Sequence, residues 1–280
     1  MRILLAAAVA AITLTTAAEA GVLDRVKASG TLTLGVREDA EPFSYRNDKG
    51  EATGYSVALC RVVADEVGKT AGLDRIKLKF VPVMPETRFD DLRAGKVDIL
   101  CGADTVTLAR REIVDFSLMT FATGSTLLYR LDGPTSFDAL AGKKIGAVGG
   151  TTTETNLKRA LASGQLKGQM VEVADYGQGV RDLVDGKIAA FFGDGAILLF
   201  HWLQSPDRDA LKLSDRNLSN EPYALALPRG DDNFRLAVDR ALARLYRSPR
   251  IEEIFADSFT TTAKPSDLVR ALYLLNGLPE

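Results

Sequence analysis

The segment from Leu92 to Phe116 restricts the fold more than any other stretch of the chain. It reads L-R-A-G-K-V-D-I-L-C-G-A-D-T-V-T-L-A-R-R-E-I-V-D-F. A short helix is expected to end at Gly95, because glycine takes the left-handed conformation that closes a helix without steric cost. The apolar run Val97-Asp98-Ile99-Leu100-Cys101 then reads as a buried strand, and Gly102 to Thr107 turns the chain into a second helix carrying Arg110. Helix, buried strand, turn and helix form the grammar of an open α/β sheet. In such sheets ligands bind beyond the carboxyl ends of the strands, where loops and helix amino-termini leave backbone N–H groups free for anions. Arg110 falls just past such an end, so a carboxylate-binding site is expected there.

The same grammar runs through the rest of the chain. Residues 22–28 read as a helix and Thr31 to Val36 as a strand followed by Arg37. Pro42 to Tyr45 and Asn47 to Gly50 suggest a hairpin, and an amphipathic helix follows Gly54-Tyr55 as far as Val67. Lys77 to Val83 is the next strand, and Pro85 to Arg88 opens the helix that ends at Gly95, with Arg88 in its first turn. A second block repeats the alternation. Strands are expected at 124–131, 144–148, 171–174 and 188–192, the last running into Gly193-Asp194, and helices after Thr151 and over 179–185. A final strand lies at 223–227, and helices fill the remainder. Strands alternating with helices predict an α/β fold whose sheets are mixed and mostly parallel.

The chain has 280 residues, of which 26% are charged, and a formal net charge of -2. No lysine-arginine stripe stands out, so neither nucleic acid nor a membrane surface is expected as a partner. Residues 1–20 differ from the rest. Met1-Arg2, an apolar run from Ile3 to Leu14 and the small-residue end Ala18-Glu19-Ala20 have the pattern of a cleaved export signal. The apolar run is shorter than the roughly 20 residues that span a bilayer, so no membrane anchor is expected. Two cysteines, Cys60 and Cys101, therefore belong to an exported chain. They can form a disulfide there, and they can equally be two buried free thiols.

Three arginines and one aspartate fall where strands or loops end: Arg37, Arg88, Arg110 and Asp194. Arginine stays charged and grips a carboxylate through two parallel hydrogen bonds, although any one of these side chains could equally serve a surface ion pair. Gly149-Gly150-Thr151-Thr152-Thr153-Glu154 suits an anion at a helix start, or a plain capping box. Its glycine spacing excludes dinucleotide and nucleoside triphosphate motifs. His201, the only histidine, sits in an apolar run and reads as packing rather than as a general base. One histidine and two distant cysteines assemble no metal cluster, and no G-x-S-x-G elbow is present, so binding without cofactor or metal fits better than catalysis.

Several of these motifs, in this order, resemble the bacterial periplasmic solute-binding proteins that deliver polar amino acids to ABC transporters. They are Pro42-Phe43-Ser44-Tyr45 with Gly54-Tyr55, Leu92 through Asp98, Thr107 to Arg110 with Asp115-Phe116-Ser117, Gly150-Thr151-Thr152, the strand reaching Asp194, and Glu221-Pro222-Tyr223-Ala224. The resemblance implies the two-lobed type II binding-protein fold. Lobe 1 would comprise 21–129 and 223–280, and lobe 2 would comprise 130–222, with two crossing strands as the hinge. It implies that Arg110 holds the ligand α-carboxylate, helped by the Thr105 hydroxyl and the Thr151-Thr152 turn, and that Asp194 takes the α-ammonium. The glutamate/aspartate-binding branch is the nearest, because Arg37 and Arg88 stand where that branch holds a side-chain carboxylate, and Cys101-Gly102 fits it as well. Ala103 replaces a usual serine, Pro85 a hydroxyl residue and Tyr176 a histidine. Three guanidiniums against one carboxylate leave a net positive site, which suits an acidic amino acid. The implied partner is a membrane permease and the implied state a monomer in the periplasm. Two other readings share this scaffold: a dehydratase acting on arogenate or prephenate, and a ligand sensor.

Overall fold

The computed structural model describes residues 20–134, 136–259 and 263–280. The export signal expected over residues 1–20 lies outside them, apart from Ala20. Among the described residues, thirteen strands follow in chain order. They are β1 (Thr31–Val36), β2 (Asp39–Ala40), β3 (Ser44–Arg46), β4 (Ala52–Thr53), β5 (Lys77–Pro82), β6 (Ile99–Leu100), β7 (Asp115–Thr123), β8 (Ser125–Arg130), β9 (Lys143–Val148), β10 (Gly168–Val173), β11 (Ala190–Asp194), β12 (Leu211–Leu213) and β13 (Glu221–Leu227). Ten α-helices accompany them among the same residues. These are α1 (Val22–Ser29), α2 (Tyr55–Thr70), α3 (Arg88–Arg93), α4 (Leu108–Arg111), α5 (Thr152–Ala162), α6 (Tyr176–Val184), α7 (Gly195–Gln204), α8 (Asp232–Tyr246), α9 (Arg250–Phe259) and α10 (Asp267–Asn276).

Two five-stranded sheets, ordered β5-β1-β6-β13-β7 and β10-β9-β11-β8-β12, share one plan. In each, the first three strands pair in parallel and the fourth pairs antiparallel with both of its neighbours, so both sheets are mixed. The parallel part comes from strand–helix–strand units. The antiparallel part comes from the strands that carry the chain between the sheets. A small meander, β2-β3-β4, hangs beyond the end of β1.

Helix α2 shows why the elements form where they do. Ser56, Leu59, Cys60, Val63 and Val67 are buried at helical spacing and face the first sheet's core, while Arg61, Asp65 and Glu66 stay partly or fully accessible. An aromatic group of Phe43, Tyr55, Phe121, Tyr223, Phe255 and Phe259 then joins the meander, α2, β7, β13 and α9 in mostly edge-to-face contacts.

Among the elements that escape the periodic reading of the sequence, two do so for a clear physical reason. Helix α7, G-A-I-L-L-F-H-W-L-Q, is apolar nearly all round and so offers no polar stripe to mark its period. Strand β7 pairs with β13 through register shifts near Tyr223 and Ala224, which break strict alternation of buried and open residues.

The chain passes from the first sheet to the second at Gly124, between β7 and β8, and returns just before Glu221. Residues 125–129, expected in the first lobe, thus pair within the second sheet, and Glu221 and Pro222 belong to the first. The two crossings run side by side. Leu218 N donates to Ser125 O at 2.8 Å, and the Ser125 and Ser219 hydroxyls lie 2.6 Å apart. Glycine at 124 is required by this approach, since a Cβ there would stand 2.6 Å from Asn217 Cγ and 2.7 Å from Ser219 O.

A disulfide joins Cys60 of α2 to Cys101, just past β6, with Cα atoms 6.1 Å apart. It pins the helix to the sheet next to the loop that carries Ala103 and Thr105, which decides the question that the two cysteines left open.

Candidate ligand-binding site

One small, nearly filled cavity of about 10 Å³ is lined by Arg37, Arg88, Ala103, Thr105, Arg110, Thr151, Thr152, Tyr176 and Asp194, with Ala40 and Ile197 between them. Every residue singled out for ligand binding from the sequence therefore meets at one place. Arg37 follows β1, Arg88 opens α3, and Ala103, Thr105 and Arg110 follow β6. Thr151 and Thr152 start α5, Tyr176 starts α6 and Asp194 ends β11. The carboxyl ends of both sheets thus face one another across the cavity.

The arginines are not equally free. Arg37 grips Asp39 with Nε and Nη2, at 2.8 and 2.7 Å. Burial works against the Arg37 charge, but Asp39 outweighs it and holds the pKa above the ordinary arginine value. Arg88, 3% exposed, donates from Nε to Asp104 Oδ1 at 2.6 Å, and from Nη1 to the carbonyls of Pro85 and Gly150. Gly150 takes φ +65°, and a Cβ there would stand 2.7 Å from Glu86 N, so the turn before α5 fits against the start of α3 only as glycine. Arg110 donates from Nη1 to Thr105 O at 2.8 Å, while its Nε and Nη2 make no hydrogen bond to another described residue. Burial, and then the neighbouring Arg88, lower its pKa to about 10, so it remains charged at neutral pH. The Phe89 ring touches both guanidinium groups, 4.4 Å from Arg88 and 4.9 Å from Arg110.

Asp194 is buried beside the Tyr223 hydroxyl, which acts on its charge although neither that hydroxyl nor Asp194 Oδ1 meets a partner in hydrogen-bond geometry among the described residues, while Oδ2 meets the Tyr176 hydroxyl at 3.4 Å. Burial, and then the Glu221 charge, push the Asp194 pKa up to about 7. The Tyr176 ring stacks on His201, 5.8 Å between centroids and 9° between planes. His201 is held below its ordinary pKa by burial, and its Nε2 lies 3.7 Å from Glu41. Its position is that of a packed ring behind the cavity wall.

Thr151 takes the capping role that the sequence left as an alternative. Its hydroxyl accepts from Glu154 N at 3.0 Å and donates to Val148 O at 2.7 Å, and Glu154 Oε2 accepts from Gly150 N. The Thr105 and Thr152 hydroxyls both donate to Glu221.

These contacts correct the charge count read from the sequence. Arg37, Arg88 and Arg110 are surrounded by Asp39, Asp104, Asp194 and Glu221, so the site is not net positive. The sequence does not mark Asp39, Asp104 or Glu221 as charged partners of the site, for a physical reason. An acidic residue near an arginine in sequence is common on any surface, and Glu221 reaches Thr105 across a separation of 116 residues.

A two-lobed α/β sheet pair with a polar cavity between facing strand ends defines a hinged small-molecule receptor. The chain belongs to the bacterial extracellular solute-binding proteins, family 3, whose profile matches residues 32–261. It is 33% identical over 250 residues to the L-glutamate/L-aspartate-binding protein of Pseudomonas aeruginosa, covering 89% of this chain and 83% of the relative. The glutamate/aspartate import solute-binding protein of Escherichia coli is 26% identical, over 90% of this chain and 83% of its own. Among solved structures, the ancestral amino acid-binding protein AncCDT-1, a precursor of cyclohexadienyl dehydratase, superimposes with a TM-score of 0.74 at 25% identity, covering 86% of this chain and 100% of that one.

Proposed function

We propose that this protein is the periplasmic substrate-binding component of an amino acid ABC transporter. It captures glutamate or aspartate between two closing lobes and presents the ligand to a membrane permease as a monomer. The observation that carries this reading is the single cavity in which Arg37, Arg88, Arg110 and Asp194 converge from both sheets. The likeness to glutamate/aspartate-binding relatives supports it. In this reading the lobes follow the sheets: 21–123 with 221–280, and 125–220. Arg110 holds the α-carboxylate with its free Nε and Nη2, Asp194 accepts from the α-ammonium, and Arg37 and Arg88 spend their remaining N–H groups on the side-chain carboxylate. The role is binding without a chemical step, and export by a cleaved signal places it in the periplasm.

Calorimetric titration with a panel of amino acids tests this reading, with glutamate or aspartate expected to bind best and at micromolar or tighter dissociation constants. Because Asp39 and Asp104 already counter Arg37 and Arg88, the gap between glutamate and glutamine is expected near the low end for one charge-assisted hydrogen bond, about tenfold. Arg37→Ala should shrink it to about threefold or less, and the fold should tolerate this change because the Asp39 side chain keeps 23% of its surface in water. Arg88→Ala would instead leave Asp104 buried and alone, at a cost of roughly 3 to 5 kcal/mol in stability. A parent that prefers glutamine or a basic amino acid overturns the acidic-ligand reading.

Binding should also depend on pH through Asp194. Its folded-state pKa is raised, so the empty protein retains a proton that the unfolded chain releases. The group therefore costs the empty fold nothing below about pH 4, and the cost grows as pH rises towards 7, reaching its full value above 7. A ligand ammonium favours the carboxylate and expels that proton. Affinity is expected to be about tenfold weaker at pH 6 than at pH 8, with proton release visible when titrations are repeated in buffers of different ionisation enthalpy. Asp194→Asn should bind more weakly at pH 8 and lose the slope. A slope that persists in that variant assigns the proton to another group.

A further inference from the structure

Glu221 is the first residue of β13, on the return crossing between the sheets, and is 1% exposed. Its Oε2 accepts from Thr105 Oγ1 and from Thr152 Oγ1, both at 2.7 Å. Its Oε1 accepts from Asn156 Nδ2 at 3.2 Å and from the Ser219 hydroxyl. An ionised carboxylate offers about four lone-pair sites, so its capacity is filled. The donors come from three places: the loop after β6, helix α5 of the second sheet, and the crossing itself.

A hydroxyl carries one proton. With the protons of Thr105 and Thr152 both directed at Glu221, the 3.3 Å contact between those two oxygens has no proton of its own, and what both turn towards the cavity is lone pairs. The same cavity holds Asp194, whose Oδ1 is buried and unpartnered among the described residues. Fixed in this way, the two hydroxyls and Asp194 accept N–H donors, while the free N–H groups of Arg110 in the same cavity are left for a carboxylate.

We infer that Glu221 is a positioning residue for the ligand's amino group: it fixes the Thr105 and Thr152 hydroxyls as acceptors, and through the same carboxylate it ties the two lobes together. This rests on the reading of the cavity as an amino-acid site. It also reassigns the Thr105 hydroxyl, expected from the sequence to help hold the α-carboxylate, to the amino end of the ligand. A glutamine at 221 keeps the shape but offers one acceptor oxygen in place of two and adds N–H donors of its own. At least one threonine hydroxyl must then turn its proton elsewhere.

The test compares L-glutamate with glutarate, the same diacid without the amino group, on the parent and on Glu221→Gln by calorimetry. Glutamate affinity is expected to fall about tenfold or more while glutarate affinity changes less than about threefold, so their ratio narrows. An equal loss for both ligands means a merely structural role and overturns the inference, as does no loss for either. Thr152→Val provides a second route if Glu221→Gln folds poorly. It should lower glutamate affinity with glutarate spared, and in its background Glu221→Gln should cost clearly less than it does in the parent. Additive losses count against the inference. If the parent takes a neutral or basic amino acid instead, the acidic-ligand reading fails, and the ratio between that amino acid and its des-amino analogue still reads Glu221. If the parent binds no amino acid at all, both fall.

Discussion

Arg110→Ala is expected to weaken binding of every amino acid by roughly 2 to 5 kcal/mol, about thirtyfold to several thousandfold in dissociation constant. In the proposed site the Arg110 Nε and Nη2 groups are the fork that meets the α-carboxylate, the part common to all amino acids. No neighbour can take over. Arg37 is held bidentately by Asp39, and Arg88 is committed to Asp104 and to the carbonyls of Pro85 and Gly150. The loss should fall on binding rather than on folding, because removing Arg110 also removes its repulsion with Arg88. Arg110→Lys should recover only part of the affinity, since an ammonium restores the charge but not the planar fork. Calorimetric titration, with a thermal melt of each variant as the folding check, decides the matter. Affinity within about threefold of the parent would place the α-carboxylate elsewhere.

Replacing both Cys60 and Cys101 by alanine is expected to cost the fold about 4 kcal/mol. The bond closes a loop of sequence separation 41, and freeing it returns that much chain entropy to the unfolded state, if disulfide stabilisation is chiefly entropic. For a chain of this size the melting temperature should drop by roughly 8 to 16 °C. Both cysteines are fully buried, so the alanines also leave small gaps against α2 and the first sheet, a loss in the same direction. Treating the parent with a reductant until both thiols are free should reproduce most of the shift. A ligand-affinity loss should accompany it, because Cys101 anchors the loop that presents Ala103 and Thr105. An unchanged melting temperature would mean that the bond adds nothing to stability.

Much of the site's inventory was legible in the sequence because it depends on local pattern. The burial period of α2, the glycine that ends the helix at residue 95 and the apolar run before Cys101 are each set within about a dozen residues, where sterics and hydrophobic spacing act directly. Strand ends follow from those patterns, and with them the positions of Arg37, Arg88, Arg110 and Asp194. The resemblance to a known family then supplied the two-lobed arrangement that brings them together.

What the tertiary structure alone decided is which charges are spent. Asp39 and Asp104 neutralise two of the three arginines, and Glu221 accepts hydrogen bonds from the hydroxyls of two threonines that lie 116 and 69 residues away in the chain. The crossings at Gly124 and Glu221, the first several residues from where the family resemblance put it, depend on which sheet each strand finds a partner in. Local sequence fixes which residues can present a charge or a hydroxyl at a strand end. Whether that group faces a ligand or an internal partner depends on contacts between segments far apart in sequence, and those form only when the two sheets meet.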